Sequence, residues 1–165
     1  MQPSKHVYFP SLEEGFIGQK RIVLPPDIQK KQASNKLIQQ FYITAIGYYP
    51  NAKHHKIHRP DGATDYIFLY CATGEGTVTV SGEQYLLTPN TYFILPQHTT
   101  HEYNSSEELP WTIYWAHFNG PTAKALVKRS LGTSKKQKIK PYAFNEQIFQ
   151  LFDQTMSMLE HNYTT

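Results

Sequence analysis

The spacing of apolar and polar positions divides the chain into three stretches. Over residues 1–40 no period persists: Pro3, Pro10, Pro25 and Pro26 interrupt it, and Val7-Tyr8-Phe9, Phe16-Ile17 and Ile22-Val23-Leu24 stand as short apolar islands. The expectation is an irregular arm whose islands pack onto something, with a plain N-terminal strand or staple as the simpler alternative. From Phe41 onward aromatic and β-branched residues dominate. Strands are predicted over Phe41–Tyr49, Lys53–Arg59, Asp65–Thr73, Thr77–Ser81, Gln84–Thr88, Thr91–Pro96, Thr100–Asn104 and Trp111–Phe118. Pro50-Asn51, Pro60-Asp61-Gly62, Gly74-Glu75-Gly76, Ser81-Gly82, Pro89-Asn90 and Pro96-Gln97 punctuate them. Short strands in such close succession, with no helical interval, predict a mainly β sandwich or barrel, and a jelly roll of two sheets manages its edges this way.

After Gly120-Pro121 the period lengthens. Thr122–Leu131 is rich in Ala, Lys and Leu and reads as a helix closed by Gly132. Asn145 caps a second one, with Glu146 and Gln147 in its first turn. There Ile148, Phe149, Phe152, Met156 and Leu159 recur at three- and four-residue spacings as one apolar stripe. Such a stripe must pack on its own barrel, on the preceding helix or on a partner copy, and a self-complementary patch favours a two-fold dimer seam.

Composition narrows the class. A chain of 165 residues has room for one ordinary domain. Its net charge of +3 is too mild to name nucleic acid as a partner, although residues 121–165 hold 7 basic and 3 acidic residues, with Lys135, Lys136, Lys138 and Lys140 close together. That run reads as a solvated turn more readily than as a phosphate patch. One cysteine, Cys71, excludes an internal disulfide framework and a thiolate zinc cluster and suits a reducing cytoplasm. Neither a leader pattern at Met1 nor an apolar run near the roughly 20 residues of a membrane helix is present.

Eight histidines invite a metal hypothesis. However, the alternate His-x-His pair and a following carboxylate, which a metal-binding barrel of this kind generally wants, are missing, and the nearest acid, Asp61, sits in a turn. If Lys53–Arg59 is a strand, His54 and His58 share one face and His55 the other. No Gly-x-Ser-x-Gly elbow or glycine-rich phosphate loop occurs, and Cys71 lies in the apolar run Ile67–Ala72, where a thiol is inert packing. The expectation is no catalytic residue, no metal and no cofactor. What stands out is 14% aromatic content. On the strand from Trp111, the side chains of Trp111, Ile113, Trp115 and His117 share one face, and Tyr114, Ala116 and Phe118 the other. His101 and Tyr103 share a face on what reads as a neighbouring strand. An indole platform with imidazole and phenol suits a small polyhydroxylated ligand; the same rings could equally be core.

These residues carry a family resemblance. His58-Arg59-Pro60-Asp61-Gly62 followed by Asp65-Tyr66 resembles the N-terminal sensor domain of AraC-type transcription regulators. So do Gly74-x-Gly76, Pro89-Asn90, Leu95-Pro96, His101-x-Tyr103 and Pro110-Trp111 through Trp115-Ala116-His117-Phe118, taken in order. Ile43-Thr44-x-x-Gly47-Tyr48-Tyr49-Pro50 looks most like versions from Bacteroides-type bacteria. The resemblance implies a cupin-like double-stranded β-helix (jelly-roll) barrel over 41–120, preceded by an arm over 1–40 and followed by a helical dimerisation segment over 121–165. It implies a small-molecule effector, often a mono- or oligosaccharide, over which the arm can fold. It also implies a cytoplasmic homodimer that reaches DNA only through a C-terminal helix-turn-helix domain absent from this chain. By motif, Arg59 falls where the arabinose-responsive member places a sugar-contacting arginine, His101 and Tyr103 at its His and Tyr pocket positions, and Trp115 at its stacking tryptophan. Arg59 would then bond ligand hydroxyls or a carboxylate through its fork. The pattern departs at Glu102 and Ile113, where that member has histidines. The expected function is ligand sensing and dimerisation in a transcription regulator rather than enzymology, the alternative being a metal-dependent cupin isomerase or dioxygenase.

Overall fold

The computed structural model describes residues 15–131 and 139–161. Two antiparallel sheets face each other. Strands β1 (Lys20–Val23), β2 (Tyr42–Tyr49), β4 (Tyr66–Thr73), β7 (Thr91–Leu95), β9 (Thr112–Asn119) and β10 (Lys140–Pro141) form the larger sheet, in the order β1-β2-β9-β4-β7-β10. Strands β3 (Lys56–Arg59), β5 (Gly76–Val80), β6 (Glu83–Leu87) and β8 (His101–Ser105) form the smaller, in the order β3-β8-β5-β6. This is the two-sheet jelly roll that the strand spacing predicts, in the cupin-like form that the family resemblance implies. Helices α1 (Pro26–Ser34), α2 (Pro121–Leu131) and α3 (Glu146–His161) complete it, with a 3-10 turn at Ile38–Gln40.

Local sequence explains the turns. Ser81 and Gly82 both have positive φ (50° and 83°) and join β5 to β6, whose ends pair Val80 with Glu83. A two-residue hairpin with both central residues left-handed matches the twist of its strands, and glycine enters that conformation at little cost. In β2 the register slips between Ile43 and Ala45, so Thr44 is the extra residue of a bulge. Its hydroxyl bonds Asp65 at 2.6 Å, and Asp65 in turn accepts from the Asn119 amide at 2.9 Å, which pins the bulge at one end of the barrel.

The core between the sheets is built from the inward residues of both, among them Ile67, Leu69, Val78, Leu87, Phe93, Leu95, Trp111 and Ile113, each 1% exposed or less. Cys71 lies there, fully buried, with Sγ 3.3 Å from the Thr73 carbonyl. Burial pushes its thiol up to about 12, so it is packing and not a nucleophile. On the outer face of the larger sheet α2 seats Ala123 and Val127 against Tyr66 and Phe118.

Two expectations need correction here. The stretch read as an irregular arm contains a strand and a helix. β1 pairs with β2, and Pro26 opens α1 at a position where a missing N–H costs nothing. The island Val7-Tyr8-Phe9 and the lysines at 135, 136 and 138 lie outside the described residues. Second, the stripe Ile148, Phe149, Phe152, Met156 and Leu159, expected as a dimer seam, packs on its own sheet. Met156 is 1% exposed among Ile22, Leu24, Ile46 and Ala116, with Phe152 and Leu159 beside it. Phe149 meets the rings of Tyr114 and Tyr70 at 5.0 and 5.9 Å, and Ile148 is half-buried. The reason is β1: Ile22 and Leu24 supply the apolar seat that an irregular arm would not. A contact between Lys20 and Asp153 at 3.1 Å closes the seat at its exposed rim, where an ion pair adds little.

Candidate ligand-binding site

A cavity of about 150 Å³ lies inside the barrel. Arg21 and Val23 reach it from β1, Ala45 and Tyr49 from β2, Ile57 and Arg59 from β3, Leu69 from β4, Tyr103 from β8, and Ile113, Trp115 and His117 from β9. His55, just before β3, completes the wall. Each contributing strand sends alternate residues inward, so the 113–115–117 face anticipated from the sequence is the face that lines the cavity. The opposite face, Tyr114, Ala116 and Phe118, meets the helices.

Arg59 is the centre of the polar arrangement. Its Nη1 donates to the Tyr103 hydroxyl at 3.1 Å and lies 3.4 Å from His101 Nε2, while its guanidinium carbon sits 5.8 Å from the Tyr103 ring centroid. His101 does not line the cavity. Its Nδ1 is 2.8 Å from the Thr99 carbonyl, which makes Nδ1 the protonated nitrogen and turns the Nε2 lone pair toward Arg59. His101 is thus a positioning residue behind the arginine, 2% exposed and stacked parallel to Tyr103 at 6.1 Å. Arg59, Tyr103 and Trp115 come together on the wall, and His101 supports them from behind. Strand β8 belongs to the sheet opposite β9, so His101 and Tyr103 face Trp115 across the barrel rather than from a neighbouring strand.

Trp115 is 7% exposed and stands in a ring of aromatics: Tyr49 at 5.4 Å and His117 at 5.5 Å. Tyr49 continues to His55 at 5.2 Å, and His55 to Tyr103 at 5.7 Å. Phe16 covers Tyr49 and His55 from outside, at 5.4 and 5.7 Å. Among the described residues the buried Trp115 indole N–H has no hydrogen-bond partner, a costly state for a donor. Gly47 lies under the indole, and a Cβ there would come within 2.5 Å of two ring carbons. Only glycine permits that approach.

His55, His117, Tyr49 and Arg21 are wall residues that the motif reading missed. His55 turns inward because 53–55 is a turn and not a strand: His54 takes φ 64°, and the Ala52 N–H bonds the Trp111 carbonyl at 2.8 Å. His54 is exposed, and His58 points outward, 3.4 Å from Glu102. The Trp111 indole donates to His55 Nδ1 at 3.3 Å, leaving Nε2 as the protonated nitrogen. Burial, then the charge of Arg59, holds His55 down to about 4. Burial and the charges of Arg59, His101 and Arg21 hold His117 down to about 3, and burial lowers His101 also. All three imidazoles are neutral at pH 7. Among the described residues no group of three or more His, Cys, Asp or Glu is disposed to hold a metal ion.

A family model described as the AraC-like ligand binding domain matches residues 41–164. The chain belongs to that family. The MmsAB operon regulatory protein of Pseudomonas aeruginosa is 30% identical over 107 residues, 62% of this chain and 34% of that protein. The lactose operon transcription activator of Staphylococcus xylosus is 45% identical over 47 residues, 28% of this chain and 17% of that protein. The chain therefore spans about a third of the length of the first curated relative and less of the second. Among solved structures, YhaK from Escherichia coli superposes with a TM-score of 0.53 at 9% identity, covering 79% of this chain and 54% of that one, a likeness of fold alone. As an AraC-like ligand binding domain, the chain has this cavity between the two sheets of its barrel and packs its helices on the outer face of the larger sheet. Among the described residues no helix is long and apolar enough to cross a membrane.

Proposed function

We propose that the barrel cavity is the effector site of a cytoplasmic AraC-type transcription regulator, and that its occupancy controls DNA binding by a domain outside this chain. The observation that carries the reading is convergence: Arg59, Tyr103 and Trp115, from three strands in two sheets, meet on one cavity of about 150 Å³. A cavity of that size holds a molecule of benzene to monosaccharide bulk, and the Trp115 ring with the Arg59 fork offers one face for C–H groups and one for oxygens. The effector is a small polar molecule of sugar size. Phe16 on the rim, against Tyr49 and His55, supports a role for the preceding arm in covering it.

Dimerisation belongs to the same reading, with a changed seam. Since the inner stripe of α3 packs on its own sheet, the face left for a second copy is the outer one. There Leu151 and Met158, seven residues apart, are 61% and 66% exposed. Seven-residue spacing places them on one line of the helix, as in a two-helix seam.

A thermal-shift screen of mono- and oligosaccharides, with related small polar metabolites, tests the effector site. Ligands that bind only the folded state raise its melting temperature by mass action. The expected result is a set of hits that shift the wild-type domain and lose their effect on Arg59→Met. Hits that shift both proteins equally would place binding elsewhere.

A further inference from the structure

The polar groups on the cavity wall are nearly all donors. Among the described residues no Asp, Glu, Asn, Gln, Ser or Thr lines it. Neutral polyols are normally held by side chains that both give and accept, because each hydroxyl carries a proton that needs an acceptor. Here the surrounding bonds leave mostly donors, the neutral imidazole of His117 being the wall group that keeps an acceptor nitrogen. His55, whose Nδ1 accepts from Trp111, presents an Nε2–H. Tyr103, whose oxygen accepts from Arg59, has its own proton left to give. Trp115 carries an indole N–H that nothing among the described residues satisfies. Among the described residues Arg59 bonds two neutral groups only, a phenol and an imidazole, and no carboxylate is paired with its half-buried charge. A cation held away from water calls for an opposite charge.

We infer that the effector is a small organic carboxylate, its acid group held by the Arg59 fork and its compact C–H body against Trp115, Tyr49, Ile113 and Leu69. This rests on the cavity being the effector site. A planar guanidinium matches a carboxylate with two parallel bonds. The cavity of about 150 Å³ suits a sugar acid or a similarly compact hydroxy acid. Binding replaces the missing counter-ion without any chemical change in the ligand, as befits a sensor.

Calorimetric titration of matched pairs tests this. The purified domain is titrated with glucuronate against glucose, gluconate against sorbitol, and glycerate against glycerol, with inorganic phosphate as a separate arm. At least one acid should bind ten-fold or more tightly than its neutral partner. Arg59→Met should weaken that acid by ten-fold or more and its neutral partner by less, while for the acid Arg59→Lys, which keeps the charge and loses the fork, should fall between wild type and Arg59→Met. Should Arg59→Met fail to fold, the wild-type comparison with Arg59→Lys decides. Neutral partners binding as well as or better than their acids, or phosphate binding where no carboxylate does, would overturn the inference and leave the cavity an effector site. An acid that binds wild type and Arg59→Lys alike would overturn the role of the fork. Binding by none of the series at millimolar concentration would overturn the effector-site reading itself.

Discussion

Replacing Gly47 by alanine should push the Trp115 indole into the cavity. Gly47 is registered between Arg21 of β1 and Trp115 of β9. The added methyl would sit 2.5 Å from Cε2 and Cζ2 of the indole and 2.7 Å from the Lys20 carbonyl oxygen. Comfortable carbon contacts need about 3.5–4.0 Å, so the ring must retreat by about 1 Å, and the strand behind the glycine leaves only the cavity side open. Overpacking of this kind costs about 1–3 kcal/mol. For a domain of this size that lowers the melting temperature by roughly 3–10 °C. Thermal and urea unfolding followed by circular dichroism measure the loss. Tryptophan emission, read in a Trp111→Phe background, reports the indole itself. A shift in emission together with weakened binding of any ligand identified for the wild-type domain is expected. Unchanged stability and emission would show that β2 and β9 yield more readily than the ring, and the argument for a glycine-dependent platform would fail. Lost stability with unchanged emission would mean instead that β1 peels away through its Lys20 carbonyl.

Acid should destabilise the fold before the carboxylates titrate. A histidine whose folded pKa is lowered leaves the unfolded chain binding more protons below its ordinary value of about 6.5, so stability falls as pH drops from there toward about 4 for His55 and about 3 for His117. For His55 the loss is on the order of 3 kcal/mol, and urea midpoints measured from pH 7 to pH 4 should be flatter in His55→Phe. Met156→Ala should cost about 2–5 kcal/mol, the usual range for a fully buried site. The cost should be independent of protein concentration in denaturant melts, since Met156 packs within its own chain; a strong concentration dependence would return the stripe to a dimer seam. Leu151→Glu should instead convert a sedimenting dimer to a monomer and lower the melting temperature only by the concentration-dependent amount that dimerisation contributes, leaving the stability of the monomer itself little changed.

The long strands were legible because their pattern is strong. Residues 112–118 alternate so cleanly that both faces of β9 could be assigned, one to the cavity and one to the helices. β1 was hidden for the converse reason. Four residues, of which only Ile22 is buried, leave too short a record for a period, and their role emerges only from pairing with β2. That one omission also misdirected α3: its stripe was visible, but its partner was not. The site shows the same division. Arg59, Tyr103 and Trp115 carry motif signals, whereas His55 owes its inward position to the left-handed turn at His54, which a run of extended residues does not announce. Asn51 after Pro50, with φ 43°, was the available signal that the strand breaks there. The charge balance of the wall depends on which residues lie beside Arg59 in space, and no spacing along the chain reveals that.

The central claim is that a ligand sits inside the barrel against Trp115. The two indole N–H resonances of the ¹⁵N-labelled domain test it directly. The Trp111 N–H is already bonded to His55, whereas the Trp115 N–H has no acceptor among the described residues. On titration with an effector found by the thermal screen, the Trp115 resonance should move downfield and saturate with the same affinity as the calorimetric titration, while Trp111 moves little. Saturable binding that leaves the Trp115 resonance in place and shifts only amides of α2 and α3 would put the ligand outside the barrel and contradict the account.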